Sequence, residues 1–177
     1  MTKNIKYTFS IIIIIAAMSF ICDSTYAQTG SLKNLKQSVE KVNDLKNSVG
    51  PGDPWTLKNI IAPEELAKIV ESKTKNKPII LQIGFKFLFN QGHIPGAKYV
   101  GPASRKEGIE NLKSLTKNIP HNKEVVIYCG CCGWTECPNI HPGFKAMKNM
   151  GFKNIRLLYL PHNFTKDWVD KGFPLQR

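Results

Sequence analysis

Beyond residue 62 the chain alternates between short apolar runs and stretches in which apolar residues recur every three or four positions. The apolar runs predict four strands, at residues 78–83, 99–100, 124–128 and 155–158. The periodic stretches predict a helix that begins at Pro63 and further helices at residues 106–117, 144–150 and 164–170. The aromatic stretch at residues 85–89 is expected to be a loop. Strands that alternate with helices at this spacing predict an α/β fold, in which a central parallel sheet carries helices on both faces.

An earlier stretch, residues 31–49, also has helical periodicity. Its apolar positions are separated by Lys, Gln, Glu and Asn, and they are Leu32, Leu35, Val39, Val42, Leu45 and Val49. This pattern predicts one amphipathic helix, and the breaker cluster Gly50–Pro54 that follows predicts a linker. The stripe is too short for a stable coiled coil alone, so we expect the helix to lie on the domain or to tether it. The pattern does not indicate which protein, if any, the helix binds.

The first 27 residues have the pattern of a secretory signal peptide. Lys3 and Lys6 precede an uncharged run at residues 7–21. Thr25 and Ala27 are small residues at the positions that a signal peptidase recognises, and cleavage is expected after Ala27. The run is shorter than the about 20 apolar residues that cross a bilayer, so we expect no stable membrane span after cleavage. The pattern predicts an exported bacterial protein, periplasmic or secreted.

Three segments follow from these patterns: a signal peptide at 1–27, a helix and linker at 28–54, and one domain at 55–177. The length of 177 residues suits one domain with an appendage, and a hydrophobic fraction of 42% argues against a disordered chain. The formal net charge is +12, from 25 Lys+Arg and 13 Asp+Glu. This charge would suit nucleic acid, a membrane surface or small anionic substrates. Scattered lysines and export argue against nucleic acid as a partner, and most of the lysines are expected to form a solvated surface.

Four of the five cysteines lie in the loop from Cys129 to Cys137. Disulfides between such near neighbours would remove little chain entropy, so a stapling role is weak. Three uses remain open at this point. The loop contains a cysteine nucleophile, or its cysteines bind a soft metal together with His141, or two of them cycle between dithiol and disulfide.

Cys129 is the candidate nucleophile because it directly follows the strand at 124–128. Chemistry in parallel α/β sheets gathers at the carboxyl ends of the strands. The glycine-bearing loop that follows can turn its backbone N–H groups inward as an anion nest. We therefore expect the pKa of the Cys129 thiol to be lowered and the thiolate to attack a substrate.

At residues 57–177 the chain resembles the rhodanese-like domains. The motifs that carry the resemblance are Gly92–Ala97, Val125–Cys129, Met150–Ile155, Trp168 and Gly172–Pro174. Rhodanese-like enzymes carry sulfane sulfur as a cysteine persulfide, taken from thiosulfate or another donor and passed to a thiophilic acceptor. The resemblance thus implies a small anionic sulfur donor, a thiol acceptor and no cofactor.

By the same resemblance Cys129 is the sulfur carrier. The backbone of the following residues would cradle the substrate, namely Gly130, Cys131, Cys132, Gly133 and Trp134. Three neighbouring thiols are candidate resolving or relay groups, namely Cys131, Cys132 and Cys137. Trp134 is a candidate roof for the pocket.

The chain departs from the family pattern at two strand ends. Gln82-Ile83-Gly84 stands where many members have an Asp-x-Arg pair, and Pro161-His162-Asn163 replaces the usual glycine pair. These departures keep two alternatives to sulfur transfer open: a non-catalytic metal-binding or interaction module, and a thiol–disulfide oxidoreductase. A phosphatase of the same fold is disfavoured, because Thr135 occupies the position that needs an arginine six residues after Cys129.

Three histidines are expected to have structural rather than catalytic roles. His93 precedes a tight Pro-Gly turn, so we expect it to be hydrogen-bonded beneath the loop rather than to act as a base. His141 and His162 are expected at the surface or in capping positions, and they would matter for catalysis only within hydrogen-bond reach of Cys129.

Overall fold

The computed structural model describes residues 32–33, 35–40 and 42–177. The predicted signal peptide at 1–27 lies outside the described residues. The described residues divide into two compact units, one that ends at Asp44 and one that runs from Leu45 to Arg177.

The N-terminal helix is present in the described residues. Residues 32–33, 35–40 and 42–46 are helical, as the periodicity predicts. The apolar stripe is more than half exposed along its first four positions, which are Leu32, Leu35, Val39 and Val42. Among the described residues, no helix is both long enough and apolar enough to cross a membrane.

A parallel sheet of five strands forms the centre of the larger unit, with the strand order β1-β5-β4-β2-β3. The strands are β1 (Ile60–Ile61), β2 (Ile79–Gln82), β3 (Lys98–Tyr99), β4 (Val125–Tyr128) and β5 (Ile155–Leu158). In the central pair, Ile79 lies opposite Val125 and Leu81 opposite Ile127. The predicted parallel sheet is confirmed.

Helices connect these strands. They are α1 (Pro63–Glu71), α2 (Lys86–Gln91), α3 (Lys106–Thr116), α4 (Ile140–Asn149) and a π-helical segment, Thr165–Val169. A 3₁₀ turn, Trp134–Glu136, interrupts the cysteine loop. Proline at the first position of α1 suits a helix start, where its missing N–H would have no partner.

Both faces of the sheet are covered, which explains why β4 is buried at all four positions. One face contains α3 and α4, and its core includes Val125, Ile127, Leu112, Phe144 and Met147. The other face contains α1 and the π-helical segment, and its core includes Val126, Tyr128, Leu66 and Trp168. Alternate residues of one apolar strand thus fill two different cores, and the predicted α/β architecture with helices on both faces is confirmed.

Two expectations about local structure are wrong. Residues 85–89, predicted as a loop, form the N-cap and the first four positions of α2, whose Phe89 ring stacks on His93 at 3.8 Å between ring centroids. The helix predicted from Phe144 begins at Ile140. Pro142 lies in its first turn, where a missing N–H costs no helical hydrogen bond, and Gly143 lets α4 approach Ile83 of the sheet face.

Smaller differences concern three other elements. The strand expected at 99–100 covers Lys98–Tyr99. The last helix, expected at 164–170, has π-helical hydrogen bonding over Thr165–Val169. Strand β1 is only two residues long and carries no recognisable pattern of its own, so the sequence did not predict it.

Candidate active site

Cys129 lies at the carboxyl edge of the sheet, immediately after β4, as the sequence predicts. Only 3% of its surface is exposed. The chain then turns at Gly130, whose φ of +79° is a left-handed conformation, and a Cβ there would come within 2.8 Å of the Phe164 Cβ. Only glycine satisfies both the backbone conformation and the close approach of Phe164.

The loop brings the sulfur atoms of its cysteines together. The Cys129 Sγ lies 3.1 Å from the Cys131 Sγ, which lies 3.1 Å from the Cys132 Sγ. The sulfur atoms of Cys129, Cys131 and Cys137 all lie within 4.8 Å of one another. All four are free thiols, with Cys129 and Cys137 buried and Cys131 and Cys132 partly exposed.

The first turn of α4 supplies hydrogen-bond donors to this cluster. The Asn139 Nδ2 group donates to the Cys129 Sγ at 3.2 Å, and the backbone N–H groups of Asn139 and Ile140 donate to Cys137. Asn139 is fully buried, and its Oδ1 accepts from the Ser104 N–H at 2.9 Å. Because the backbone N–H of Ser104 can only donate, it must face the amide oxygen of Asn139. The NH₂ group of Asn139 therefore faces the Cys129 sulfur.

Cys137 is the thiol of this cluster whose pKa is lowered. Hydrogen bonds from the thiols of Cys129 and Cys131, assisted by backbone N–H groups at the start of α4, lower the pKa of Cys137 to about 3 against the opposing effect of burial. A thiolate at a helix N-terminus is stabilised in the same way in many reactive cysteines.

The expectation of a lowered pKa at Cys129 is wrong. A hydrogen bond with the Cys131 thiol lowers this pKa, but the hydrogen bond to Cys137 and burial outweigh it and raise the pKa of Cys129 to about 12. Hydrogen bonds to Cys129 and Cys137 raise the pKa of Cys131, and burial is the main cause that raises the pKa of Cys132. The physical reason is that one thiolate in a tight cluster favours the neutral form of its neighbours.

The predicted cradle of backbone amides is formed only in part. The Cys131 N–H donates to the Cys129 sulfur. The Trp134 N–H instead donates to the Pro161 carbonyl at 3.3 Å, and a Cβ on Gly133 would come within 2.9 Å of the same oxygen. Trp134 therefore joins the loop to the end of β5, and its amide does not face Cys129.

The Trp134 side chain packs within the domain rather than over the cavity. Its indole Nε1 donates to the Ser48 carbonyl at 3.0 Å, and the Trp55 Nε1 donates to the same oxygen at 3.0 Å. The Trp134 ring meets Trp55 and Tyr159 edge-on, at 5.7 and 5.2 Å between centroids. Ser48 and Trp55 thereby hold Trp134, and with it the middle of the cysteine loop, in place.

Gln82 and Gly84 occupy the positions of the absent Asp-x-Arg pair. The Gln82 Nε2 group donates to the Cys129 carbonyl at 3.1 Å, which ties the end of β2 to the end of β4. A Cβ at Gly84 would come within 2.8 Å of that carbonyl oxygen and within 3.1 Å of the Cys129 Sγ. A side chain at position 84 would displace Cys129, so the missing arginine and the packing of Cys129 are consistent with each other.

A cavity of about 170 Å³ opens beside the strand ends. Its lining combines apolar and polar residues, among them Gln82, Tyr128, Cys129, Gly130, Phe164 and Arg177. The Gln82 Oε1 atom is buried and has no hydrogen-bond partner within the described part of the chain. The lining of this cavity thus includes both Cys129 and the cationic side chain of Arg177.

The histidines have partners away from the cysteines. The His93 Nδ1 lies 2.9 Å from the Phe89 carbonyl oxygen, in agreement with the structural role predicted for it. The His141 Nε2 lies 2.7 Å from the Asp53 Oδ1, and the His162 Nδ1 lies 2.9 Å from the Asp167 Oδ1. His141 is consequently not part of a metal-binding group with the cysteines.

Asn139 is the functional candidate that sequence reasoning missed. Asparagine just before a helix is a common N-cap, and this pattern was available in Pro138-Asn139-Ile140. It could not have indicated the contact with Cys129, because the loop between them has no regular pattern.

The profile of the rhodanese-like domain family matches residues 59–159, which is more than half of the chain. The chain belongs to the rhodanese-like domain family. At the level of the family, this domain supports a sulfurtransferase-type function and fits a sulfur donor and a sulfur acceptor as partners.

A solved structure supports this fold. The crystal structure of the Alr3790 protein from Anabaena sp. is similar with a TM-score of 0.51 and 16% identity, over 66% of this chain and 81% of that one. The single-domain sulfurtransferase RDL2 from Saccharomyces cerevisiae has a TM-score of 0.49 and 16% identity, over 64% of this chain and 90% of that one. A comparison with curated proteins found no match.

Proposed function

We propose that this protein is an exported sulfurtransferase that accepts sulfane sulfur as a persulfide on Cys129 and passes it to a thiol acceptor. The observation that carries the proposal is the position of Cys129. In a chain of the rhodanese-like family, it directly follows the central strand β4, and its sulfur receives hydrogen bonds from Asn139 and from the Cys131 N–H. Export rests on the pattern of residues 1–27.

The first step needs a Cys129 thiolate. The Cys137 thiolate lies within 4.8 Å of the Cys129 sulfur and accepts its proton, so the total charge of the cluster does not change. The Asn139 Nδ2 group and the Cys131 N–H then stabilise the new thiolate. Because the pKa of Cys137 is lowered and that of Cys129 is raised, this transfer is uphill, and the Cys129 thiolate is a minor species that the sulfur donor captures as it forms.

The Cys129 thiolate attacks the outer sulfur of the donor. With thiosulfate, a sulfur–sulfur bond forms at Cys129, the bond between the two donor sulfurs breaks, and sulfite leaves with the electron pair. The cavity beside the strand ends supports this step, because Arg177 offers a cation for an anionic donor. The negative charge of the persulfide remains under the same hydrogen-bond donors.

Transfer outward uses the neighbouring thiols. Cys129 is 3% exposed, whereas Cys131 and Cys132 are partly exposed and each sulfur lies 3.1 Å from the next. The Cys131 sulfur attacks the outer sulfur of the persulfide, its thiol proton passes to the Cys129 sulfur, and Cys129 leaves as a thiol. The same exchange passes the sulfur to Cys132. Each exchange forms and breaks one sulfur–sulfur bond, so no oxidant or reductant is needed.

A turnover assay tests this function. Reduced protein is mixed with thiosulfate and an excess of a small dithiol, and the release of sulfite and hydrogen sulfide is measured. We expect catalytic release with the wild-type chain and no release above background with Cys129→Ser, because serine cannot form the persulfide. Turnover by Cys129→Ser at the wild-type rate would contradict the proposal, provided that circular dichroism shows the variant to be folded.

A further inference from the structure

Three of the four loop cysteines form a compact cup of sulfur atoms. Cys129 directly follows a strand, Cys131 lies two residues further along the chain, and Cys137 precedes α4, yet their sulfurs lie within 4.8 Å of one another. A metal–thiolate bond is about 2.3 Å long, so three sulfurs around one ion lie about 4 Å apart. The cup therefore needs only small side-chain adjustments to surround an ion.

The donor set of this cup consists of sulfur alone. The side chains that could add nitrogen are engaged elsewhere, since His141 pairs with Asp53 and His162 with Asp167. In the described residues, the grouping of potential ligands includes no carboxylate. Thiolate ligands select soft ions such as Cu(I) over hard ions such as Mg²⁺ or Ca²⁺.

The number of sulfur ligands also indicates which soft metal ion fits the cup. The Cys132 sulfur touches Cys131 at 3.1 Å, but Cys132 does not belong to the group whose sulfurs are all mutually close. Structural zinc sites are almost always four-coordinate. A three-sulfur cup suits Cu(I), a soft monovalent ion that accepts three thiolates.

Hydrogen-bond donors already surround the cup. The Asn139 Nδ2 group lies 3.2 Å from the Cys129 Sγ, and the N–H groups of Asn139 and Ile140 donate to Cys137. Such outer contacts orient ligands and offset the negative charge of several thiolates around one cation. Asn139 is itself held by the Ser104 N–H, so the donor stays in place without an ion.

We propose that Cys129, Cys131 and Cys137 form a three-coordinate thiolate site for Cu(I). On binding, Cys129 and Cys131 release their thiol protons to solvent, Cys137 binds as a thiolate, and the metal stays in the Cu(I) state, so no electron transfer is involved. The site shares Cys129 with sulfur transfer. Bound Cu(I) consequently blocks persulfide formation on Cys129.

The test is an anaerobic titration of the reduced full chain with Cu(I) in competition with a chromophoric Cu(I) chelator. We expect one ion per chain, and X-ray absorption of the complex should show three sulfur neighbours. Cys137→Ser should bind at least about 100-fold more weakly, because loss of a ligand costs at least as much as changes to outer contacts. The matched control, Cys132→Ser, should keep one ion with three sulfur neighbours.

Three results would overturn the proposal: loss of all Cu(I) to the chelator by the wild-type chain, a wild-type spectrum without three sulfur neighbours, or equal weakening by Cys132→Ser and Cys137→Ser. If a serine variant fails to fold, the X-ray absorption spectrum of the wild-type complex still tests the proposal by itself. Sulfur transfer is assayed separately on metal-free protein, so failure of the copper site and failure of the sulfurtransferase function give different results.

Discussion

At the scale of single residues, the site depends on which cysteine carries the charge. Cys137 lies where two backbone N–H groups of α4 converge, whereas Cys129 offers its own thiol hydrogen to that neighbour. The position of Cys129 after a strand was predictable from the sequence, because an apolar run ends directly at it. The charge on Cys137 was not predictable, because it depends on the packing of an irregular loop against the first turn of α4.

This charge distribution predicts the effect of Cys137→Ser. The hydrogen bond to Cys137 raises the pKa of Cys129, so its removal should lower that pKa from about 12. A fall by one unit makes the thiolate about tenfold more abundant at any pH below the pKa. Alkylation of Cys129 with iodoacetamide, followed by peptide mass spectrometry from neutral to alkaline pH, should therefore be at least about tenfold faster in the variant.

Cys132→Ser is the matched control for this measurement, because it removes a thiol and leaves Cys137 in contact with Cys129. Its alkylation profile at Cys129 should stay close to that of the wild-type chain. An unchanged profile in Cys137→Ser would show that Cys137 does not control the protonation of Cys129.

At the scale of elements, the hydrophobic pattern of the sequence predicted the positions of the strands that are buried on both faces. Strands β2, β4 and β5 are continuous apolar runs between polar segments, and their bounds were predicted to within about one residue. Helix α2 was missed because the aromatic residues at 85, 87 and 89 alternate rather than follow a helical period. The start of α4 was missed because Pro142 and Gly143 resemble a breaker, although both suit a first turn packed closely on the sheet.

Close packing of helix α3 predicts the effect of Gly108→Ala. A Cβ at Gly108 would lie 2.6 Å from the Pro102 carbonyl carbon and closer still to its oxygen. Alanine in a helix interior normally gains about 1 kcal/mol over glycine. Here overpacking against backbone should instead lower the free energy of unfolding by about 1–3 kcal/mol, measured by urea denaturation.

Ser114→Ala is the control, since Ser114 is an exposed residue of the same helix. We expect it to change the free energy of unfolding by less than about 0.5 kcal/mol. Stabilisation by Gly108→Ala would mean that α3 does not lie against Pro102 as described.

At the scale of the whole molecule, the charge and the first 27 residues bear on where the protein works. The formal net charge is +12 and comes mostly from lysines scattered along the chain, which suits diffuse attraction of anions. The family assignment rests on residues 59–159, so it says nothing about export. Export remains a proposal that follows from the apolar run and the small residues before Gln28.

Export predicts a defined mature N-terminus. When the full chain is expressed in a bacterial host, the protein recovered from the periplasm or medium should begin at Gln28, as determined by N-terminal sequencing. Cleavage there would follow Ala27, the last small residue of the predicted signal. A cytoplasmic product that retains Met1, or a product with a lipid on Cys22, would contradict the proposal.

The central claim, that Cys129 carries the sulfur, is tested most directly by locating a labelled sulfur atom. Metal-free, reduced protein is exposed briefly to thiosulfate whose outer sulfur is a heavy isotope, and the persulfides are trapped and mapped by peptide mass spectrometry. The account predicts that the label appears first on Cys129 and only later on Cys131 or Cys132. Label that appears first on Cys137, or on any thiol in a folded Cys129→Ser variant, would contradict it.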